Sequence, residues 1–122
     1  MIKSIAAALI AMGIGMGAFG AHGLRPLLEG RPMEVYETAV FYLITQAIGL
    51  LWLSNFRIAG PLLISGILLF SGSLFLLSTA SLHGLPVQWL GPITPVGGLL
   101  MMAAWLQAAF EFSKTKKSQK HL

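Results

Sequence analysis

The sequence predicts an all-α integral membrane protein, a bundle of four transmembrane helices. Hydrophobic residues make up 56% of the 122 residues and charged residues only 10%, whereas soluble domains usually carry about 25% charged residues. Nearly all of the charge lies in three places, residues 25–37, residue 57 and residues 111–120. Between Ile58 and Phe110 the only ionisable group is His83. Long uncharged stretches between short charged segments are typical of a polytopic membrane protein.

The length allows one domain, which we assign to residues 1–112, followed by a basic cytoplasmic tail at 113–122. The predicted helices cover about 4–23, 33–56, 61–82 and 95–112. The first is uncharged and long enough to cross a hydrocarbon core of about 30 Å. Lys3 followed by an apolar run also fits a signal peptide. We interpret this segment as a retained first helix.

Small residues form two stripes on the first predicted helix when it is drawn at 100° per residue. One stripe consists of Gly13, Gly17 and Gly20, and the other, nearly opposite, of Ala11, Gly15, Ala18 and His22. In a bilayer, small residues let helix backbones approach closely, and this packing replaces the hydrophobic effect as the cause of association. The two stripes therefore predict helix contacts on both sides.

The second predicted helix begins at Pro32, whose missing N–H costs nothing in a first turn. Glu34 and Glu37 follow, where a helix N-terminus favours negative charge. Tyr42 and Gln46 come about halfway along the span. A side-chain amide at this depth needs a polar partner, so we expect Gln46 to face protein or a water pocket rather than lipid.

The third predicted helix carries small residues at adjacent heptad positions, Gly72 and Ser73 among them, which favours close packing. In the fourth, Thr94 is a candidate N-cap and Pro95 a candidate first residue. From Pro95 to Phe110 the helix is only about 24 Å long, which is short for a core of about 30 Å. We therefore expect residues 90–94 to enter the membrane boundary as a non-helical segment.

The distribution of lysine and arginine predicts an N-in/C-in chain, with both termini cytoplasmic. The inner side then holds Lys3, Arg57 and the tail lysines, and the outer side Arg25 and Arg31. The tail lysines suit the anionic lipids of the cytoplasmic leaflet. They are too few and too local to indicate a nucleic-acid interface.

Four sequence blocks resemble one family. They are GAFGAHGLRPLL at 17–28, YETAVFY at 36–42, LFSGSLFLL at 69–77 and LGPITPVGGLL at 90–100. In this order they resemble the YgdD/YwdK family of small bacterial membrane proteins, a domain of unknown function whose eukaryotic relative is called transmembrane protein 256. The resemblance implies four transmembrane helices in the cell membrane and supplies no established activity. Members often carry a histidine where this chain has Gln46.

The sequence predicts that the protein is not an enzyme and holds neither a metal nor a cofactor. It has no cysteine and no aspartate, and the HExxH, GxSxG and P-loop motifs are missing. The remaining candidates form a polar pocket near the outer face: His22, Arg25, Glu37, Tyr42, Gln46 and Thr94. Arg25 and Glu37 are expected to form an ion pair, which is either an interfacial salt bridge or part of a site for a lipid head group or small solute.

Two functions follow from these features. The first is a non-enzymatic accessory, assembly or lipid-interacting subunit, whose small-residue faces bind membrane lipids, a second copy or a larger membrane complex. The alternative is a small-solute or proton transporter or channel acting as a homo-oligomer, because Gln46 lies at mid-depth and a broken segment precedes the fourth helix.

Overall fold

Four long helices make up the fold in a computed structural model, which describes the backbone of residues 1–120 and the side chains of residues 1–114. The helices are α1 (Ile2–Phe19), α2 (Arg31–Trp52), α3 (Ala59–Ser78), the short α4 (Ala80–His83) and α5 (Ile93–Lys120). Residues 20–24 continue α1 as a π-helical turn. The four spans around α1, α2, α3 and α5 are long and apolar enough to cross a membrane. The predicted four-helix membrane fold is confirmed, and the N-in/C-in orientation stays a prediction.

The main helix contacts follow the chain: α1 packs on α2, α2 on α3, and α3 on α5. One end of the bundle, the Arg25 end, contains the connections at 25–30 and 84–92. The opposite, Arg57 end contains the N-terminus and the connection at 53–58. The core cluster draws residues from all four long helices, with Leu9, Ala47, Leu63 and Ala104 among them. Small residues in this core bring the helices close together.

The closest backbone approach joins α3 and α5. A Cβ atom added to Gly97 would lie 2.5 Å from the Phe70 backbone nitrogen and 3.0 Å from the Gly66 carbonyl oxygen. Ser73, a predicted packing residue of α3, is buried and its hydroxyl lies 2.5 Å from that of Thr94. Gly72 was predicted to pack as well, and this is wrong within the chain because open space surrounds its Cβ position.

Only one of the two predicted stripes on α1 contacts another helix of the chain. Cβ atoms on Gly13, Gly17 and Gly20 would meet Ile44, Val40 and Tyr36 of α2, respectively. The opposite stripe, with Gly15 and Ala18, is exposed. The prediction that α1 is contacted on both sides is therefore wrong within one copy. The physical reason is that α1 lies at the edge of the bundle, where α2 is its main partner.

The last helix differs from its prediction at both ends. It begins at Ile93, so Thr94 lies inside its first turn and is not its cap. Pro95 is tolerated there because the first N–H groups of a helix have no intrahelical acceptor. The 28 residues include the basic tail, and the part of the helix at residues 93–112 is about 30 Å long, which matches a core of about 30 Å. Of the expected non-helical segment 90–94, residues 91–92 form a turn. A single 3-10 turn, Gln88–Leu90, precedes it. The side chains of the tail beyond Lys114 lie outside the described residues.

The second and third helices end four residues earlier than predicted. The second ends at Trp52, and the Ser54 hydroxyl then donates a 3.1 Å hydrogen bond to the Leu51 carbonyl. Such a bond gives the backbone an alternative to a further helical turn. The third ends at Ser78, and α4 follows as one separate turn, closed by Gly84 at φ +64°. A glycine adopts this left-handed conformation without steric cost.

Candidate functional site

The predicted polar pocket does not form a single site. Helix α2 separates Arg25 and Glu37, which lie beside the α1–α2 groove, from Tyr42 and Gln46, which line a groove between α2 and α5. Thr94 is bonded to Ser73 near the second groove and does not line it. His22 is exposed on the π-helical turn and lines neither groove.

Arg25 and Glu37 form the ion pair that the sequence predicted. The guanidinium Nη2 donates to a Glu37 carboxylate oxygen at 2.9 Å, and this links the turn after α1 to the first turns of α2. Both side chains are more than half exposed, at 62% and 52%. Beneath the pair lies a groove of about 370 Å³ whose walls include Gly17, Val40 and Phe41.

Removing this ion pair is expected to change stability little. Exposed ion pairs contribute about 0–1 kcal/mol, because solvent screens the attraction and both side chains lose rotamer freedom. We expect Glu37→Gln to lower the free energy of unfolding by no more than about 1 kcal/mol, measured by detergent-induced unfolding in mixed micelles. Glu34→Gln is the matched control, since Glu34 takes part in no ion pair within the described residues. A loss well above 1 kcal/mol in the Glu37 variant alone would contradict this assignment.

The larger groove, here called the lateral groove, lies between α2 and α5 with Phe70 of α3 between them, and measures about 690 Å³. Its lining is Tyr42, Gln46, Phe70, Pro95, Gly98, Leu99, Met101, Met102, Trp105 and Leu106. No ionisable group other than the Tyr42 phenol lines it. The groove opens sideways between two membrane-spanning helices, so it faces the hydrocarbon region.

Trp105 is the residue of this groove that the sequence analysis missed. Its indole Nε1 donates a 2.6 Å hydrogen bond to Gln46 Oε1. Gly49 makes room for it, since a Cβ there would lie 2.5 Å from the indole ring. The sequence does contain a signal that could have identified Trp105: it lies inside an apolar span, whereas tryptophans usually lie at membrane interfaces.

His83, the ionisable residue between Ile58 and Phe110, lies near the Arg25 end and has a structural role. Its Nδ1 accepts a 3.0 Å hydrogen bond from the Leu85 N–H, so Nε2 carries the proton and donates to the Leu76 carbonyl at 3.0 Å. Both ring nitrogens are therefore occupied in closing the end of α3 and α4. Within residues 1–114, no cluster of three His, Cys, Asp or Glu side chains has the arrangement of a metal site.

Comparison with known proteins matches residues 16–98 to a family described as "Protein of unknown function (DUF423)". That segment spans α2, α3, the α1–α2 groove and the first six residues of α5, whereas half of the lining of the lateral groove, Trp105 included, lies beyond it. The chain belongs to the DUF423 family. The predicted resemblance to the YgdD/YwdK family is thereby confirmed, since YwdK of Bacillus subtilis is among the relatives.

The DUF423 relatives are called UPF0382 membrane proteins. One from Staphylococcus haemolyticus is 42% identical over 103 residues, covering 78% of this chain and 80% of its own. YwdK is 35% identical over 105 residues, covering 78% and 81%. A relative from Schizosaccharomyces pombe is 33% identical over 111 residues, covering 85% and 94%. No solved structure matches this chain significantly. These names establish a membrane protein and assign no activity.

Proposed function

We propose that this DUF423 protein is a non-enzymatic, lipid-interacting membrane protein that holds a lipid chain in its lateral groove. The observation that carries this proposal is the groove itself: about 690 Å³ of largely apolar space, open sideways between α2 and α5. Pockets for small ligands usually measure about 300–1,000 Å³, so the space is large enough for an extended hydrocarbon chain.

The surroundings of the groove decide which class of ligand fits. At hydrocarbon depth the molecules that contact a protein surface are lipid chains. The walls offer leucine, methionine and aromatic side chains, with Phe70 and Tyr42 packed edge to face at 4.8 Å between ring centroids. Dispersion contacts with such walls are weak individually and add up along a chain. A cleft of this shape therefore retains a chain longer than the flat, exposed face of α1 does.

The structure gives weaker support to the transport alternative. A solute or proton path needs successive polar groups across the membrane. Within the described residues, the interior hydroxyls make protein hydrogen bonds instead: Ser71 donates to the Ala39 carbonyl at 3.0 Å, and Ser73 pairs with Thr94. The oxygen of the Gln46 amide is occupied by Trp105. These contacts favour a packed interior and leave the groove as the accessible space.

Retention of lipid through purification tests the proposal. We expect the protein, extracted in a mild detergent and washed extensively, to keep about one lipid molecule per chain in native mass spectra. Gly98→Phe should remove most of that lipid, because Gly98 lines the groove and the nearest atoms to its Cβ position are 3.7 Å away on the Phe70 ring. An aromatic side chain there fills space that the lipid chain would occupy.

Gly72→Phe is the matched control, since Gly72 also has open space beside it but lies outside the groove. It should keep the wild-type amount of lipid. A wild-type protein that carries no lipid, or equal retention in both variants, would contradict the proposed function.

A further inference from the structure

The orientation of the Gln46 amide is fixed by its partner. An indole Nε1–H donates and never accepts, so the atom that it meets at 2.6 Å must be the amide oxygen. The amide nitrogen is then the free end of the side chain, and no described residue accepts a hydrogen bond from it. Among the described residues, no side-chain nitrogen or oxygen without a hydrogen-bond partner is buried. The unpartnered Gln46 nitrogen is therefore accessible from outside the protein. Gln46 lines the lateral groove, so the accessible N–H groups belong to its wall.

Tyr42 adds a second donor one helical turn away. Its phenol lines the same groove, and its hydroxyl has no hydrogen-bond partner among the described residues. The edge-to-face contact with Phe70 holds the ring in place. Two residues that are four positions apart on one helix face are separated by about 6 Å along the helix axis. Gln46 and Tyr42 therefore provide two nearby hydrogen-bond donors in an otherwise apolar space; the phenol oxygen of Tyr42 can also accept.

The depth of these donors limits what satisfies them. In the 22-residue α2, Tyr42 lies at the midpoint and Gln46 about 6 Å beyond it. The ester carbonyls of phospholipids lie at the membrane interface, about 15 Å from the centre of a 30 Å core. Water is scarce at mid-depth, and an unsatisfied polar group there is unfavourable. A matching ligand must bring an acceptor oxygen into the hydrocarbon region.

We propose that the lateral groove binds a neutral apolar carbonyl compound, with the carbonyl oxygen placed between the Gln46 amide nitrogen and the Tyr42 hydroxyl. One carbonyl oxygen has two lone pairs and can accept from both donors. The hydrocarbon part lies along Leu99, Met102 and Leu106. Alkyl or isoprenoid quinones and long-chain ketones or esters share this chemistry. The inference rests on the proposed function and assigns a polar group to the bound lipid; it includes binding and no reaction.

Tryptophan fluorescence tests the inference, because Trp105 lines the groove and the chain has only two other tryptophans. The variant Trp52→Phe, Trp89→Phe reports on Trp105 alone. It is reconstituted into nanodiscs of ether-linked phosphatidylcholine with brominated chains, which lack ester carbonyls and quench indole emission. A symmetrical long-chain ketone, and separately an alkane of equal length, are then titrated to displace the brominated chain.

We expect the ketone to restore Trp105 emission at roughly five- to tenfold lower concentration than the alkane, the advantage of one or two membrane hydrogen bonds. Tyr42→Phe, which removes only the hydroxyl, should reduce this difference, and Gln46→Leu should reduce it further while the alkane curve stays unchanged. Equal ketone and alkane curves in the wild-type background would overturn the inference.

A separate titration with a quinone distinguishes the two possible sources of the carbonyl group, a quinone ring and a linear ketone or ester. A decyl-substituted benzoquinone quenches indole directly, so its effect on Trp105 is compared with its effect on Trp52 in a second variant, Trp89→Phe, Trp105→Phe. Trp52 is 76% exposed and reports on free partition into the bilayer. Quenching of Trp105 at lower concentration than Trp52 assigns the carbonyl to a quinone ring; equal quenching, with the ketone still preferred, assigns it to a linear chain. If brominated lipid quenches Trp105 no more than Trp52, the proposed lipid-binding function itself fails.

Discussion

Gly97→Ala is expected to destabilise the fold by about 1–3 kcal/mol, the usual cost of overpacking a tight interior. The added methyl group would lie 2.5 Å from the Phe70 nitrogen and 2.9 Å from its Cα. Both are backbone atoms, so no change of rotamer relieves the contact and α3 must move away from α5. The free energy of unfolding in mixed micelles, followed by circular dichroism, measures the effect.

The neighbouring substitution Gly98→Ala is the control for Gly97→Ala. It makes the same chemical change in the same helix turn, but its Cβ would meet only the Phe70 ring at an ordinary 3.7 Å. Since alanine favours a helix by up to about 1 kcal/mol over glycine, this variant should be neutral or slightly more stable. Equal destabilisation by both substitutions would show that the close α3–α5 contact is not what makes Gly97 important.

Tyr36→Ala is expected to cost about 3 kcal/mol, which is typical of truncating a buried aromatic side chain. Tyr36 is 2% exposed and packs edge to face on Phe75 of α3 at 5.2 Å between ring centroids. Its hydroxyl also donates a 2.6 Å hydrogen bond to the Met16 carbonyl of α1. One side chain therefore joins three helices, and its loss leaves a cavity and removes one of the two hydrogen bonds to the Met16 carbonyl, which also accepts from the Gly20 N–H. The same unfolding measurement applies.

Two variants separate the contributions of Tyr36. Tyr36→Phe keeps the ring and removes the hydrogen bond, so it should cost only about 1 kcal/mol. Phe41→Ala truncates an aromatic ring of the same helix that is 61% exposed on the surface of the bundle. This variant should change the free energy of unfolding by no more than about 0.5 kcal/mol. A Phe41 variant as unstable as the Tyr36→Ala variant would contradict the view that Tyr36 acts through buried contacts.

The polar residues of the candidate site could be identified from the sequence, but which of them lie together could not. Gln46 and Tyr42 were identified because polar side chains at mid-depth are rare and need partners. The partner of Gln46, Trp105, lies 59 positions away in the sequence, and no local pattern joins the two residues. Arg25 and Glu37 were paired correctly because the turn between α1 and α2 brings them together. That these two pairs lie on opposite sides of α2 depends on how α1 and α5 are placed around it.

The sequence by itself determined that the chain has four apolar helices and where charge interrupts them, because hydropathy and helix propensity act over neighbouring residues. It did not determine which glycines carry the helix contacts. Gly13 and Gly15 look equivalent in composition, yet only Gly13 faces α2, and the closest approach to a neighbouring backbone is at Gly97 on α5. Tertiary structure decided this, since a small residue permits a close approach but the neighbouring helix, fixed by the sum of all interhelical contacts, decides which small residue is used.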